Sequence, residues 1–66
     1  MEFYKKLNPD GLYSYIKVDS GKVTSYDKNM KTLTSSAYYL WKNTITRYTL
    51  IDDDMELSKL LLIQKN

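Results

Sequence analysis

Between Leu12 and Val18 the chain alternates. Leu12, Ser14, Ile16 and Val18 fall on one side, and Tyr13, Tyr15 and Lys17 on the other. Period-two alternation in β-branched and aromatic residues predicts a half-buried strand. Asp19-Ser20-Gly21 then marks a turn, and Lys22 to Lys28 makes the return strand. A two-residue loop at Ser20-Gly21 sets Val18 opposite Val23, Tyr15 opposite Tyr26 and Tyr13 opposite Lys28. The valines then share one face and the tyrosines the other. A three-residue loop would mix the faces, so the pattern selects the shorter one.

Upstream, Asn8-Pro9-Asp10-Gly11 is a turn signal. Proline fixes φ, glycine supplies a positive φ, and Asn and Asp bond to nearby backbone. Residues 2–7 before it are expected to form a short edge strand or an ordered arm. Residues 29–36 are polar and read as a loop that Met30 and Leu33 pin to the core.

The run 37–51 is rich in aromatic and β-branched residues, which favours a second hairpin turning at Lys42-Asn43. That register pairs Leu40 with Ile45 and Tyr38 with Arg47, the latter as a cation–π contact. It gathers Tyr39, Trp41 and Tyr48 on one side. The rival is a short helix at 35–42 capped by Ser35 or Ser36.

Asp52-Asp53-Asp54 opens the last element. Asp53 followed by Glu56 has capping-box spacing, and acids suit a helix N-terminus. A helix is therefore expected over 54–65. Its apolar residues fall on two sides, with Leu57, Leu60 and Leu61 on one and Met55, Leu62 and Ile63 on the other. A helix of that kind is deeply buried or serves an interface. Met55, Leu62 and Ile63 are the expected contacts of a homodimer. A short buried strand over Leu60–Ile63 is the alternative, since so short a run has no decisive period.

Together these elements predict one small α+β domain spanning 1–66. It is an antiparallel β-meander of three to five strands with one C-terminal helix across its aliphatic face. That face carries Leu12, Ile16, Val18, Val23, Leu40 and Ile45. The other carries Tyr13, Tyr15, Tyr26, Tyr39, Trp41 and Tyr48, edged by Lys17 and Lys28.

Composition narrows the chemistry. The chain has 66 residues, 7 tyrosines, and neither cysteine nor histidine. Disulfides, thiolate metal sites and imidazole chemistry are excluded. A chain this short buries only roughly 60% of its unfolded surface. Aromatic packing or association with another chain must supply the rest of its stability.

Counted from Asp52, the distal ligand position of a calcium loop is Ile63. Counted from Asp27, Thr32 replaces the glycine and Tyr38 the glutamate, so neither run is an EF-hand. No metal and no cofactor is expected. The two glycines sit in turns and form no phosphate loop. Without a histidine dyad or a convergent pocket the chain does not read as an enzyme.

The net charge is +2, and nine of the ten basic residues are lysine, leaving Arg47 alone. Few arginines weaken a base-reading role. The N-terminus shows no signal-peptide core and no run suits a membrane span, so a cytoplasmic protein is expected. The Lys, Asn, Tyr and Ile bias is also what AT-rich coding DNA produces, and short reading frames of this bias are common in phages and other mobile elements.

Tyr and Trp offer large contact area at little entropic cost. The expectation is a non-enzymatic protein-binding module, of accessory or inhibitor type. Its contacts are Tyr13, Tyr15, Lys17, Tyr26, Lys28, Tyr39, Trp41 and Tyr48. The alternative is a single-stranded nucleic-acid-binding protein stacking bases on the same rings.

Overall fold

Five strands and one α-helix follow the chain in the computed structural model, which describes residues 1–64. The strands are β1 (Glu2–Leu7), β2 (Tyr13–Asp19), β3 (Lys22–Tyr26), β4 (Thr32–Ala37) and β5 (Thr49–Leu50), and the helix is α1 (Asp54–Gln64). Two short 3-10 helices, Tyr38–Leu40 and Thr44–Arg47, join β4 to β5. All neighbours are antiparallel, in the order β4-β3-β2-β1-β5. The fold is the α+β meander with a C-terminal helix that the alternation predicts. Lys65, the last residue of the expected helix, lies outside the described residues.

The β2–β3 hairpin has the two-residue loop that keeps the faces unmixed. Val18 pairs with Val23 and Tyr15 with Tyr26. Ser20 and Gly21 both take positive φ, 51° and 76°, as a hairpin turn matched to strand twist requires. Tyr13 does not pair with Lys28, because β3 ends at Tyr26. Leu12 stays in the β1–β2 loop and is exposed rather than aliphatic core. That loop closes through Asn8 N–H to Leu12 O and Gly11 N–H to Asn8 O, at 2.8 and 2.9 Å.

Residues 2–7 form an inner strand, paired with β2 on one side and β5 on the other. This placement decides how the two faces are covered. Phe3 stands opposite Lys17, and Lys5 opposite Tyr15. Phe3 therefore joins Tyr15 and Tyr26 on the ring-bearing face. A ring with no polar tip makes that face the better seat for the apolar side chains Leu57 and Leu60 of the helix. Phe3, Tyr26, Met30, Ile51 and Leu60 form one buried cluster, with Tyr15 and Leu57 packed against it. The helix thus lies across the ring-bearing face, not the aliphatic one.

The aliphatic face is covered by the connector instead. Ile16 and Val23 are fully buried there. Ser36 lies on this face, opposite Val23, and its Oγ accepts a 2.7 Å hydrogen bond from Trp41 Nε1. Lys6 Nζ sits 5.3 Å from the Tyr48 ring centre. The second hairpin expected over 37–51 does not form. Residues 38–48 must cross from the β4 edge to the β1 edge, and a hairpin would return the chain to where it began. Leu40 and Ile45 are accordingly unpaired, Leu40 is exposed, and Arg47 ends an exposed 3-10 turn away from any ring contact described.

Residues 32–36, expected as part of a loop over 29–36, form a strand together with Ala37. Thr32, Thr34 and Ser36 alternate with Leu33, Ser35 and Ala37, so neither side is continuously apolar, and β4 lies at the sheet edge. A bulge near Ser25 and Tyr26 shifts its register. The preceding turn is held by Asp27, whose Oδ1 accepts N–H bonds from Asn29 and Lys31 at 2.8 and 2.9 Å. It leaves Met30 at φ 63° with its side chain in the core.

Asp53 caps the helix, but not through the reciprocal bonds of a capping box. Asp53 Oδ1 accepts the Met55 N–H at 3.1 Å. Glu56 does not reach back, since both its oxygens take Lys5 Nζ at 3.0 Å. Among the described residues no helix is long and apolar enough to cross a membrane.

Candidate partner-binding surface

The eight candidate contact residues do not share one surface. Tyr13, Tyr15, Lys17 and Tyr26 do stand on one face, fixed by strand alternation and the β2–β3 register. Helix α1 then covers the centre of that face. Tyr26 is sealed at 4% exposure, and Tyr15 and Lys17 are half-buried. Tyr13, at the margin, keeps 37% of its surface. Trp41 and Tyr48 belong to the opposite layer and are half-buried. Tyr39 projects from the first 3-10 helix at 75% exposure. The expected ring surface is therefore dismantled: Tyr26 is core, and Trp41 and Tyr48 help close the far face.

Around Tyr13 the rings and charges are organised. Its ring stacks on Tyr15 with centres 6.2 Å apart and planes inclined by 29°. Lys5 Nζ lies 5.3 Å from the Tyr13 ring centre while also bonding Glu56. The hydrogen bond to Glu56 holds the Lys5 ammonium above its ordinary pKa, against a partial burial that works the other way. Burial, then the nearby Glu56 charge, pushes the Tyr15 phenol up.

Two open clefts flank this group. One, of about 370 Å³, is lined by Leu12, Tyr13 and Leu33 together with Asp10, Asp27 and Lys28. The backbone N–H groups of Lys31 and Asn29 lower the Asp27 pKa, so that carboxylate is firmly charged. Leu33 is 61% exposed beside it. The turns at residues 8–12 and 27–31 bring these side chains together. The sequence signals the first turn but carries the strand on to Lys28, and it does not show that residues 8–12 and 27–31 adjoin.

The second cleft, of about 490 Å³, runs between Tyr15 and the helix residues Met55, Glu56, Lys59 and Ile63. Met55, Leu62 and Ile63, the expected dimer contacts, are all exposed, Met55 most at 73%, and Met55 and Ile63 line this cleft.

Comparison of the chain with protein-family models, curated proteins and solved structures finds no match.

Proposed function

We propose that this protein is a non-enzymatic binding module for another protein, contacting it through the cleft beside Tyr13. The observation that carries the reading is the ring of exposed apolar side chains, Leu12, Tyr13 and Leu33, around a concave site with charges on its rim. An aromatic anchor held by a stacked neighbour loses little entropy on docking. Tyr13 is held on one side by Tyr15 and approached by Lys5. Contacts at the rim would come from Lys28 and from the Asp10 and Asp27 carboxylates. Those carboxylates favour a protein partner over nucleic acid, because phosphates are repelled from acids and drawn to unbroken basic tracts. An accessory or inhibitory role suits a module with one such docking site.

Affinity capture with the wild-type chain and with a Leu12→Ser, Tyr13→Ser, Leu33→Ser variant tests this. The expected result is a protein partner retained through nuclease treatment and lost with the variant, whose circular dichroism stays at wild type. A partner held equally by both chains would refute the assigned surface. Loss of all captured material on nuclease treatment would move the reading to single-stranded nucleic acid.

A further inference from the structure

The sheet is guarded at one edge and open at the other. At the β5 edge only Thr49 and Leu50 form the strand, and Ile51 continues it by donating its N–H to Phe3 O. At the β4 edge six consecutive residues, Thr-Leu-Thr-Ser-Ser-Ala, carry no charge and no proline. Edge strands are ordinarily blunted by lysine, proline or shortness, because their free N–H and C=O groups invite another strand. Among the described residues nothing pairs with the outer side of β4.

The direction of its backbone groups follows from the hydrogen bonds. Tyr38 N–H donates to Gly21 O, and Thr34 N–H to Ser25 Oγ. Antiparallel pairs alternate between bonded and unbonded. Thr34, Ser36 and Tyr38 therefore turn inward, and Ser35 and Ala37 present their main-chain groups to the outside. The side chains leave that edge open. Thr34 bonds Ser25 at 2.6 Å, Ser36 bonds Trp41, and Ser35 lies 3.5 Å from Thr24.

We propose that β4 pairs antiparallel with β4 of a second copy of this chain, joining two sheets into one across a two-fold axis at Ser35. The occupant is argued from three features. A foreign strand added to a sheet is chosen by pockets for its alternate side chains; Leu33 borders a cleft at one end of β4, but from Thr34 to Ala37 the strand carries only short side chains that build none. A strand without charge meets itself without like-charge opposition. The far edge is too short to accept a strand, so the assembly closes at two copies instead of growing. In the register centred on Ser35, Leu33 of each copy lies opposite Ala37 of the other and loses exposure. Lys31 falls toward the end where the other copy's exposed Tyr39 stands. A six-residue edge buries less than the roughly 1,200–2,000 Å² of a standard interface, so the dimer is weak.

Sedimentation velocity on the full chain, over a series reaching millimolar concentration, tests the proposal. Wild type is expected to shift from monomer to dimer. Ser35→Lys, which sets two like charges opposite each other at a solvent-facing position, is expected to remain monomeric with unchanged circular dichroism. Leu62→Asp is expected to dimerise as wild type. In parallel, amide exchange at Ser35 and Ala37 slows as concentration rises. A wild type that stays monomeric throughout overturns the proposal. So does a dimer that survives Ser35→Lys, or one lost in Leu62→Asp alone, which would place the contact on the helix.

Discussion

Lys5 on β1 holds Glu56 on α1 through both carboxylate oxygens, each at 3.0 Å from Nζ. Lys5 also stands over the Tyr13 ring. One side chain thus links the helix, the sheet and the exposed tyrosine. The pair fixes the helix in register where Leu57 and Leu60 meet Phe3 and Tyr26. Glu56→Gln removes the charge but keeps the shape. It is expected to lower the melting temperature slightly at low salt, with the difference shrinking at high salt, because the pair keeps about 30% of its side-chain surface in water and is only partly shielded from salt. Thermal melts of both chains across ionic strength check this.

Alkaline pH should unfold the protein earlier than a generic lysine-rich domain. Lys5 is raised above 10.5 by its bond to Glu56. Tyr4, Tyr15 and Tyr48 are raised above 10.0, chiefly by burial, with Glu2 adding to Tyr4 and Glu56 to Tyr15. A raised folded-state pKa gives stability that is complete below the unfolded value and lost as pH climbs through the folded one. All four groups therefore act in the same direction, above about pH 10. Absorbance titration of tyrosinate alongside circular dichroism should show part of the tyrosine signal delayed until the sheet melts.

Phe3 and Tyr13 stand on the same face but have different fates. Phe3 is 1% exposed and anchors the helix-side core. Phe3→Ala is expected to cost about 3–5 kcal/mol. A 66-residue chain has a stability of about 3–10 kcal/mol in total, so this loss takes roughly a third or more of it and the urea midpoint should fall sharply. Tyr13→Ser should leave the same curve within about 1 kcal/mol of wild type, as surface substitutions do.

The hairpin turn carries a removable strain. Ser20 takes φ 51° beside Gly21, and asparagine tolerates that region better than serine. Ser20→Asn is expected to raise stability by about 0.5 kcal/mol, read as a shift in the urea midpoint at constant slope.

Trp41 reports on the connector. Its indole N–H bonds Ser36 Oγ at 2.7 Å. Ser36→Ala leaves that donor unpaired in a half-buried place, at a cost of about 1 kcal/mol. Its fluorescence should move before the far-UV signal does during unfolding of the variant. Coincident transitions would show that the connector opens only with the whole sheet.

Local chemistry already written in the chain set much of this molecule. Period-two alternation placed β2, the Asp19–Gly21 turn fixed its pairing with β3, and Asp53 started the helix. These features depend on residues close in sequence, whose conformational preferences act before any distant contact forms. The candidate surface was legible only in part: Tyr13 and Lys28 stay accessible, while Tyr26, Trp41 and Tyr48 serve packing. Which layer covers which face could not be read from alternation, because alternation separates two sides without ranking them. Phe3 ranked them. Once β1 entered the sheet interior, its ring made the tyrosine side the oilier one and drew the helix there. The aliphatic side was left to the 3-10 connector, and the two turns around Tyr13 came together. Such outcomes arise from long-range burial, summed over elements that the chain separates by 50 residues or so.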